Sequence, residues 1–122
     1  KGISGISSDV RDIYAAVKKN NPRAKLTFQI LAYKIAKYIG SYAATMNGLD
    51  AIIFTAGIGE NADYIRKDVC AYLQHLGVKL DNSKNKKNAL IISAPTSKIK
   101  VFVIPTNEEQ QIAKETARVL KF

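Results

Sequence analysis

Asp50-Ala51-Ile52-Ile53-Phe54-Thr55-Ala56-Gly57-Ile58-Gly59-Glu60-Asn61 is a short apolar run that ends in a glycine turn and opens a helix. Its apolar and β-favouring residues, bounded by Gly48 and Gly57, are too few for an ordinary helix and predict a buried strand. Gly57 and Gly59 follow directly. Two glycines allow a tight turn and let a ligand approach where a Cβ would collide. A helix starting near Asn61 would point its unpaired N–H groups back at that turn, which suits an anionic or strongly polar ligand. The same glycines serve equally well in a plain strand-to-helix connection, where only their backbone freedom is used.

Outward from this stretch, 122 residues suit one domain with a core of its own. Apolar residues make up 47% and charged residues 24%, a balance that argues against disorder. No apolar run approaches the length of a membrane span, and the N-terminus lacks a basic-then-apolar signal pattern. Cys70 is the single cysteine and has no internal disulfide partner, so a reducing, cytoplasmic setting is expected. The chain opens on Lys1 with a loop already feeding a helix, which reads as part of a longer protein. A net charge of +9 raises the question of a nucleic-acid partner. The lysines are spread along the chain, however, and the densest group, six lysines against one aspartate over residues 79–100, has no interleaved aromatics. We expect no nucleic acid and no membrane, and read the charge as a solvated surface that also favours anionic ligands.

Before the central stretch, Ser8 is a natural N-cap for a helix beginning at Asp9, and Asn20-Asn21-Pro22 ends that helix and starts a second. Phe28, Leu31, Ala32, Ile35, Tyr38, Tyr42 and Met46 recur at spacings of three and four and predict one apolar stripe, stopped by Asn47-Gly48. Beyond the stretch, Ile65, Val69, Leu73 and Leu76 give a third helix its buried face, with Gly77 as C-cap. Brief strands are expected at residues 78–80 and 89–92, with a solvated loop over 81–88 between them. Ile99, Val101 and Val103 then alternate as a strand does. Thr106 and Glu109 fit a capping box for a last helix buried through Ile112, Ala113, Thr116 and Leu120. Helices alternating with strands make the class α/β.

Three features bear on chemistry. Gly57-Ile58-Gly59-Glu60-Asn61-Ala62 matches the dinucleotide fingerprint, with Asp81 near the place of a ribose-binding acid. That points to an oxidoreductase domain as one alternative, although Glu60 would set a negative charge beside the pyrophosphate. Glu108, left over from the capping box, is accounted for by the helix dipole or by a ligand. His75 stands without Cys, His or acidic companions at metal-ligand spacing and reads as structural.

Ser4-Gly5-Ile6-Ser7-Ser8-Asp9-Val10-Arg11-Asp12, Phe54-Thr55-Ala56-Gly57-Ile58-Gly59-Glu60-Asn61 and Ile104-Pro105-Thr106-Asn107-Glu108-Glu109 resemble, in order and spacing, three segments near the C-terminus of acetate kinases. Propionate and butyrate kinases are the nearest competitors, and Gln110 departs from the aliphatic residue usual in the family. The resemblance implies part of the second lobe of an actin-like, RNase H-related ATPase fold. It also implies Mg²⁺-dependent phosphoryl transfer between ATP and acetate, giving ADP and acetyl phosphate, in an enzyme that is typically a homodimer. By resemblance Asp9, Val10 and Arg11 lie beside the adenosine, Gly57, Ile58, Gly59, Glu60 and Asn61 form the nucleotide loop, and Glu108 belongs to a magnesium site. No catalytic residue is assigned, because the groups that would face the transferring phosphoryl lie in parts of the family's sequence that this chain does not contain. The chain alone is therefore expected to be inactive. A non-catalytic nucleotide-binding module of the same fold is the other alternative.

Overall fold

A computed structural model describes residues 1–120. In chain order its elements are α1 (Val10–Lys18), α2 (Pro22–Thr45), β1 (Ala51–Phe54), α3 (Ala56–Asn61), α4 (Asp63–Tyr72), a 3-10 turn at Gln74–Leu76, α5 (Asn82–Lys86), β2 (Lys100–Val103) and α6 (Glu108–Leu120). β1 and β2 pair in parallel, with Ala51 opposite Lys100 and Phe54 opposite Val103. Parallel neighbours require a long crossover, and α3, α4 and α5 supply it. Because the strands run the same way and end together, whatever follows each strand emerges at one edge. That placement builds the site.

The core lies between α2, α4 and one face of the strand pair, where Phe28, Ala32, Ile52, Phe54, Ile65, Val69, Leu73, Val101 and Val103 are buried. Each large aliphatic or aromatic side chain hidden there contributes about 1.5–3 kcal/mol. The alternation predicted for β2 holds, since Ile99, Val101 and Val103 all point inward. So does the buried face of α4, and Gly77 takes the left-handed φ of 92° that a helix C-cap requires.

Several expectations are corrected. Asp9, not Ser8, caps α1, accepting from the Arg11 amide. The α2 stripe begins as predicted at Phe28 and Ala32 but continues through Ala36 and Ala43, leaving Tyr38, Tyr42 and Met46 exposed. Small residues let α4 lie close along that line, whereas the long side chains of the predicted stripe sit on the helix flank. β1 is covered on one face only, and Ile53 is exposed. Residues 81–88 are not a loop: Asp81 caps the short helix α5, and Asn85 is buried. The brief strands at residues 78–80 and 89–92 reduce to two isolated bridges, Leu80 with Ser93 and Ile91 with Phe102. The Thr106–Glu109 capping box does not form either. Asn107 accepts from the Gln110 amide, and α6 buries none of its residues, Ile112 and Leu120 included.

Candidate functional site

The glycine turn is a helix. After Phe54 the chain reverses at Thr55 and Ala56, and Ala56, with a φ of 58°, occupies the left-handed region that usually falls to glycine. Gly57 and Gly59 lie inside the six-residue α3, and neither has a positive φ. Their uses differ. A Cβ at Gly59 would stand 3.1 Å from the Phe54 backbone carbon, so the approach of α3 to the end of β1 by itself favours glycine there. A Cβ at Gly57 would meet nothing within 4 Å.

Gly57 opens onto two cavities. The first, about 540 Å³, is lined by Asp9, Val10, Arg11, Gly57, Ile58, Asn61, Ala62 and Tyr64. Six of the predicted site residues, drawn from two segments some fifty positions apart, thus share one cavity. Gly59 and Glu60 do not line it. The second, about 370 Å³, is bounded by Gly57, Glu60, Thr106, Asn107, Glu108 and Glu109. Equivalent offsets past the paired ends Phe54 and Val103 bring Gly57 and Thr106 to the same edge of the sheet.

In the first cavity Asp9 and Arg11 form a closed pair. Arg11 Nη2 donates to Asp9 Oδ2 at 2.6 Å, Nε donates to both carboxylate oxygens at 3.1 and 3.2 Å, and the Arg11 amide adds a 2.8 Å bond. These bonds hold the Asp9 carboxyl down to about 2, chiefly through the guanidinium hydrogen bond, and raise the pKa of Arg11 in return. Arg11 stays largely exposed, so its planar face is available to a ring while its charge is already matched. Asn61 donates its amide to Gly57 O at 3.0 Å, which leaves its oxygen free to accept. Tyr64, which the sequence reading missed, stacks on Tyr14 with ring centroids 3.8 Å apart and planes 4° from parallel. Phe28 meets both rings edge-on, and burial raises the Tyr64 pKa. The stack ties α1 to the start of α4 at the Tyr64 side of the cavity.

Sequence reasoning also missed Arg66. Its guanidinium is fully buried and donates to Gly59 O at 2.7 Å, Glu60 O at 2.9 Å, Asn85 Oδ1 at 2.7 Å, Asn85 O at 2.8 Å and Asn88 Oδ1 at 2.6 Å. Burial lowers its pKa. The donor geometry of arginine is filled by carbonyls, and the last turn of α3 is held in place as a result. The only trace in the sequence was an arginine beside the buried Ile65, at a position a surface helix would leave wet.

In the second cavity Glu60 is bound to the protein. Its Oε1 accepts from the Thr106 amide at 2.9 Å and the Thr106 hydroxyl at 3.0 Å, and the amide bond is the main reason its pKa is lowered. Glu108 is exposed in the first turn of α6 beside Glu109. Among the described residues no three His, Cys, Asp or Glu side chains converge on a metal position. Mg²⁺ commonly takes only one or two protein carboxylates and fills its octahedron with water and substrate phosphates, so Glu108 facing an open acidic cavity fits that pattern. His75 lines neither cavity, and its Nδ1 stands 3.0 Å from the Tyr72 carbonyl oxygen, which can only accept.

The three segments of the sequence resemblance therefore converge on Gly57. A model of the acetokinase family matches residues 1–114. The chain belongs to that family. It is 56% identical over 124 aligned positions to acetate kinase of Carboxydothermus hydrogenoformans, an alignment taking in 98% of this chain and 31% of that enzyme. Against acetate kinase of Thermotoga maritima the identity is 54% over 121 positions, 96% of this chain and 30% of the relative. Among solved structures, acetate kinase from Porphyromonas gingivalis superposes with a TM-score of 0.86 at 43% identity, over 98% of this chain and 31% of its own. A propionate kinase from Francisella tularensis gives 0.86 at 40%, over 93% and 29%. This acetokinase-family chain thus spans about 30% of the length of those relatives and shares their actin-like ATPase fold. The dinucleotide reading falls away. The G-x-G-x-x-A residues lie within and just after α3, and Asp81, offered as a ribose-binding acid, spends its carboxylate capping α5 through the Ser83 and Lys84 amides.

Proposed function

We propose that this chain forms the adenosine-side part of the second, C-terminal lobe of an acetate kinase. The enzyme would move the γ-phosphoryl group of ATP to acetate, giving acetyl phosphate and ADP. The observation that carries the proposal is the meeting of Asp9, Val10 and Arg11 with Gly57, Ile58 and Asn61 around one cavity of about 540 Å³. Its walls suit a nucleoside. Val10, Ile58 and Ala62 are apolar, Tyr64 adds an aromatic side chain, and the one cation in the lining, Arg11, is neutralised by Asp9 while keeping a planar face for stacking. The free oxygen of Asn61 can accept from a ribose hydroxyl or an exocyclic amine.

From that cavity the nucleotide would run past Gly57, where no side chain blocks the way, toward Thr106 and Glu108. Glu108 would hold Mg²⁺ directly or through water, with Glu109 beside it as a helix-start carboxylate. When bound, the metal neutralises charge on the transferring group. Glu60 would act on the nucleotide only through the backbone it anchors. Contacts to the γ-phosphate and to acetate would come from the remainder of the longer enzyme, so this chain alone would be inactive. The same reading makes the enzyme a cytoplasmic homodimer acting on small molecules. An unpaired, buried Cys70 is consistent with that compartment, and among the described residues no helix is long and apolar enough to cross a membrane.

The experiment is a turnover assay on the purified full-length enzyme containing this chain, with Mg-ATP and either acetate or propionate, measuring ADP and trapping acyl phosphate as hydroxamate. Acetate-dependent formation of both, with acetate preferred by kcat/KM, is expected. ATP binding without any carboxylate-dependent turnover would refute the kinase reading in favour of a non-catalytic nucleotide-binding module.

A further inference from the structure

α6 carries Glu108 and buries no residue against the rest of this chain, so no packing within the chain fixes where that carboxylate stands. What ties its first turn to the body is the loop behind it. Ile104 N donates to Phe54 O at 2.9 Å and Thr55 Oγ1 donates to Ile104 O at 2.8 Å, but both bonds lie before Pro105. Past the proline the tether is Glu60, whose Oε1 receives both the amide and the hydroxyl of Thr106, two residues ahead of Glu108. Glu60 itself is held from behind, because its carbonyl, like that of Gly59, accepts from the buried Arg66.

From this chain of bonds we infer that Glu60 is a positioning residue, which sets the place of Glu108 against the Gly57 turn through Thr106 and so couples the nucleotide cavity to the acidic one. The inference rests on the acetate kinase reading above for the role of Glu108. Glu60 needs no contact with ligand to do this, and it lines the second cavity without lining the first. One acceptor oxygen is enough for both bonds, since a carbonyl-type oxygen carries two lone pairs. Glutamine can therefore replace glutamate here, whereas alanine cannot. Partners standing behind a metal ligand typically change metal affinity or activity by ~10- to 100-fold when removed.

The test compares Glu60→Ala, Glu60→Gln, Thr106→Val and the double variant Glu60→Ala/Thr106→Val in the full-length enzyme, with turnover measured over a Mg²⁺ titration. Glu60→Ala should raise the Mg²⁺ concentration for half-maximal rate by about tenfold or more, with the KM for acetate little changed. Glu60→Gln should stay within about twofold of the parent, because the acceptor is kept. The double variant should be no worse than Glu60→Ala, since both changes break the same link. Glutamine as damaging as alanine would overturn the inference, because the carboxylate charge would then act on the ligand or metal directly. An unchanged Mg²⁺ requirement in Glu60→Ala would overturn it as well. Should the parent enzyme show no acetate-dependent turnover, the functional reading fails while the tether stays testable by amide hydrogen exchange. Residues 107–111 must exchange faster in Glu60→Ala than in Glu60→Gln, and equal rates would dispose of the tether.

Discussion

Adding one methyl group at Gly57 and at Gly59 should give opposite outcomes, although the two residues share a helix and a sequence motif. Both sit in α3 at ordinary helical φ, so alanine gains about 0.5–1 kcal/mol at either place from reduced chain entropy. At Gly57 nothing opposes that gain, since the new Cβ meets no atom within 4 Å. At Gly59 the Cβ arrives 3.1 Å from the Phe54 carbonyl carbon and 3.5 Å from its Cα. Phe54 cannot drift, because it ends β1 opposite Val103 and its carbonyl already accepts from Ile104 N. Overpacking of this kind costs about 1–3 kcal/mol, which exceeds the entropic gain. Gly59→Ala should therefore lower the melting temperature of the full-length enzyme, with Gly59→Val worse, while Gly57→Ala holds or raises it. Ligand binding should follow the reverse order. Gly57 lines both cavities and its methyl would enter open space, and a loss of about 1.4 kcal/mol in binding there is a tenfold rise in the KM for ATP. Thermal denaturation and separate titrations of ATP and acetate decide the matter. A Gly57→Ala enzyme with unaltered ATP affinity, or a stable Gly59→Ala enzyme that has lost it, would refute the assignment of the two glycines.

Other expected outcomes come from single side chains. Asp9 is held down to about 2 by Arg11, below the ordinary aspartate value, so its contribution to stability is complete above about pH 4 and is lost as pH falls through about 2. Asp9→Asn should flatten the acid limb of a stability-against-pH curve in that window and leave the neutral region nearly parallel to the parent. Arg66→Met strands the carbonyls of Gly59, Glu60 and Asn85, each left unsatisfied at a cost of about 1–3 kcal/mol, read by thermal or urea unfolding, and Arg66→Lys, with three donors and no fork, should recover only part. Glu108→Gln should lower kcat and raise the Mg²⁺ requirement with little change in melting temperature, whereas Glu109→Gln should be mild on every count. A Glu108→Gln enzyme with the Mg²⁺ dependence of the parent would leave Glu108 only its helix-dipole role.

Legibility in the sequence followed the reach of each interaction. β1, the alternation in β2, the buried face of α4 and the Gly77 cap all depend on residues within a turn or two of each other, and these were readable. The later half of the α2 stripe was not, because its buried positions, Ala36 and Ala43, are small residues that carry little hydrophobic signal. α6 shows the converse. Its apolar residues Ile112 and Leu120 are spaced as for a core yet stand exposed, since amphipathic spacing names a face without naming what covers it. The Arg66–Asn85 and Glu60–Thr106 links join residues 19 and 46 positions apart, and no local pattern encodes them. The first cavity was found through two segments that no periodicity connects. Resemblance placed Asp9, Val10 and Arg11 with the glycine stretch, and the fold brings them together with Tyr64, whose part in the wall depends on its stack against Tyr14.

Charge was the least informative signal at the level of composition and becomes informative once positions are known. The chain carries a net +9, yet no lysine lines either cavity, and the arginine that lines the first is already paired with Asp9. The second cavity is bounded by Glu60, Glu108 and Glu109, so its field repels a phosphate unless a cation intervenes. Surface lysines elsewhere are screened over about 8–10 Å at ordinary ionic strength and cannot substitute for such a cation. On the proposed reading, a nucleotide crossing Gly57 would pass from an apolar, charge-balanced pocket into an acidic one. That order would suit the base and sugar first and a cation-neutralised polyphosphate second. It also assigns the two cavities different salt responses. Free adenosine should bind the first with little dependence on ionic strength or Mg²⁺, while the added affinity of ATP should vanish when the metal is chelated. Metal-free ATP binding more tightly than adenosine to this half of the site would mean that local cations, and not Mg²⁺, carry the phosphates.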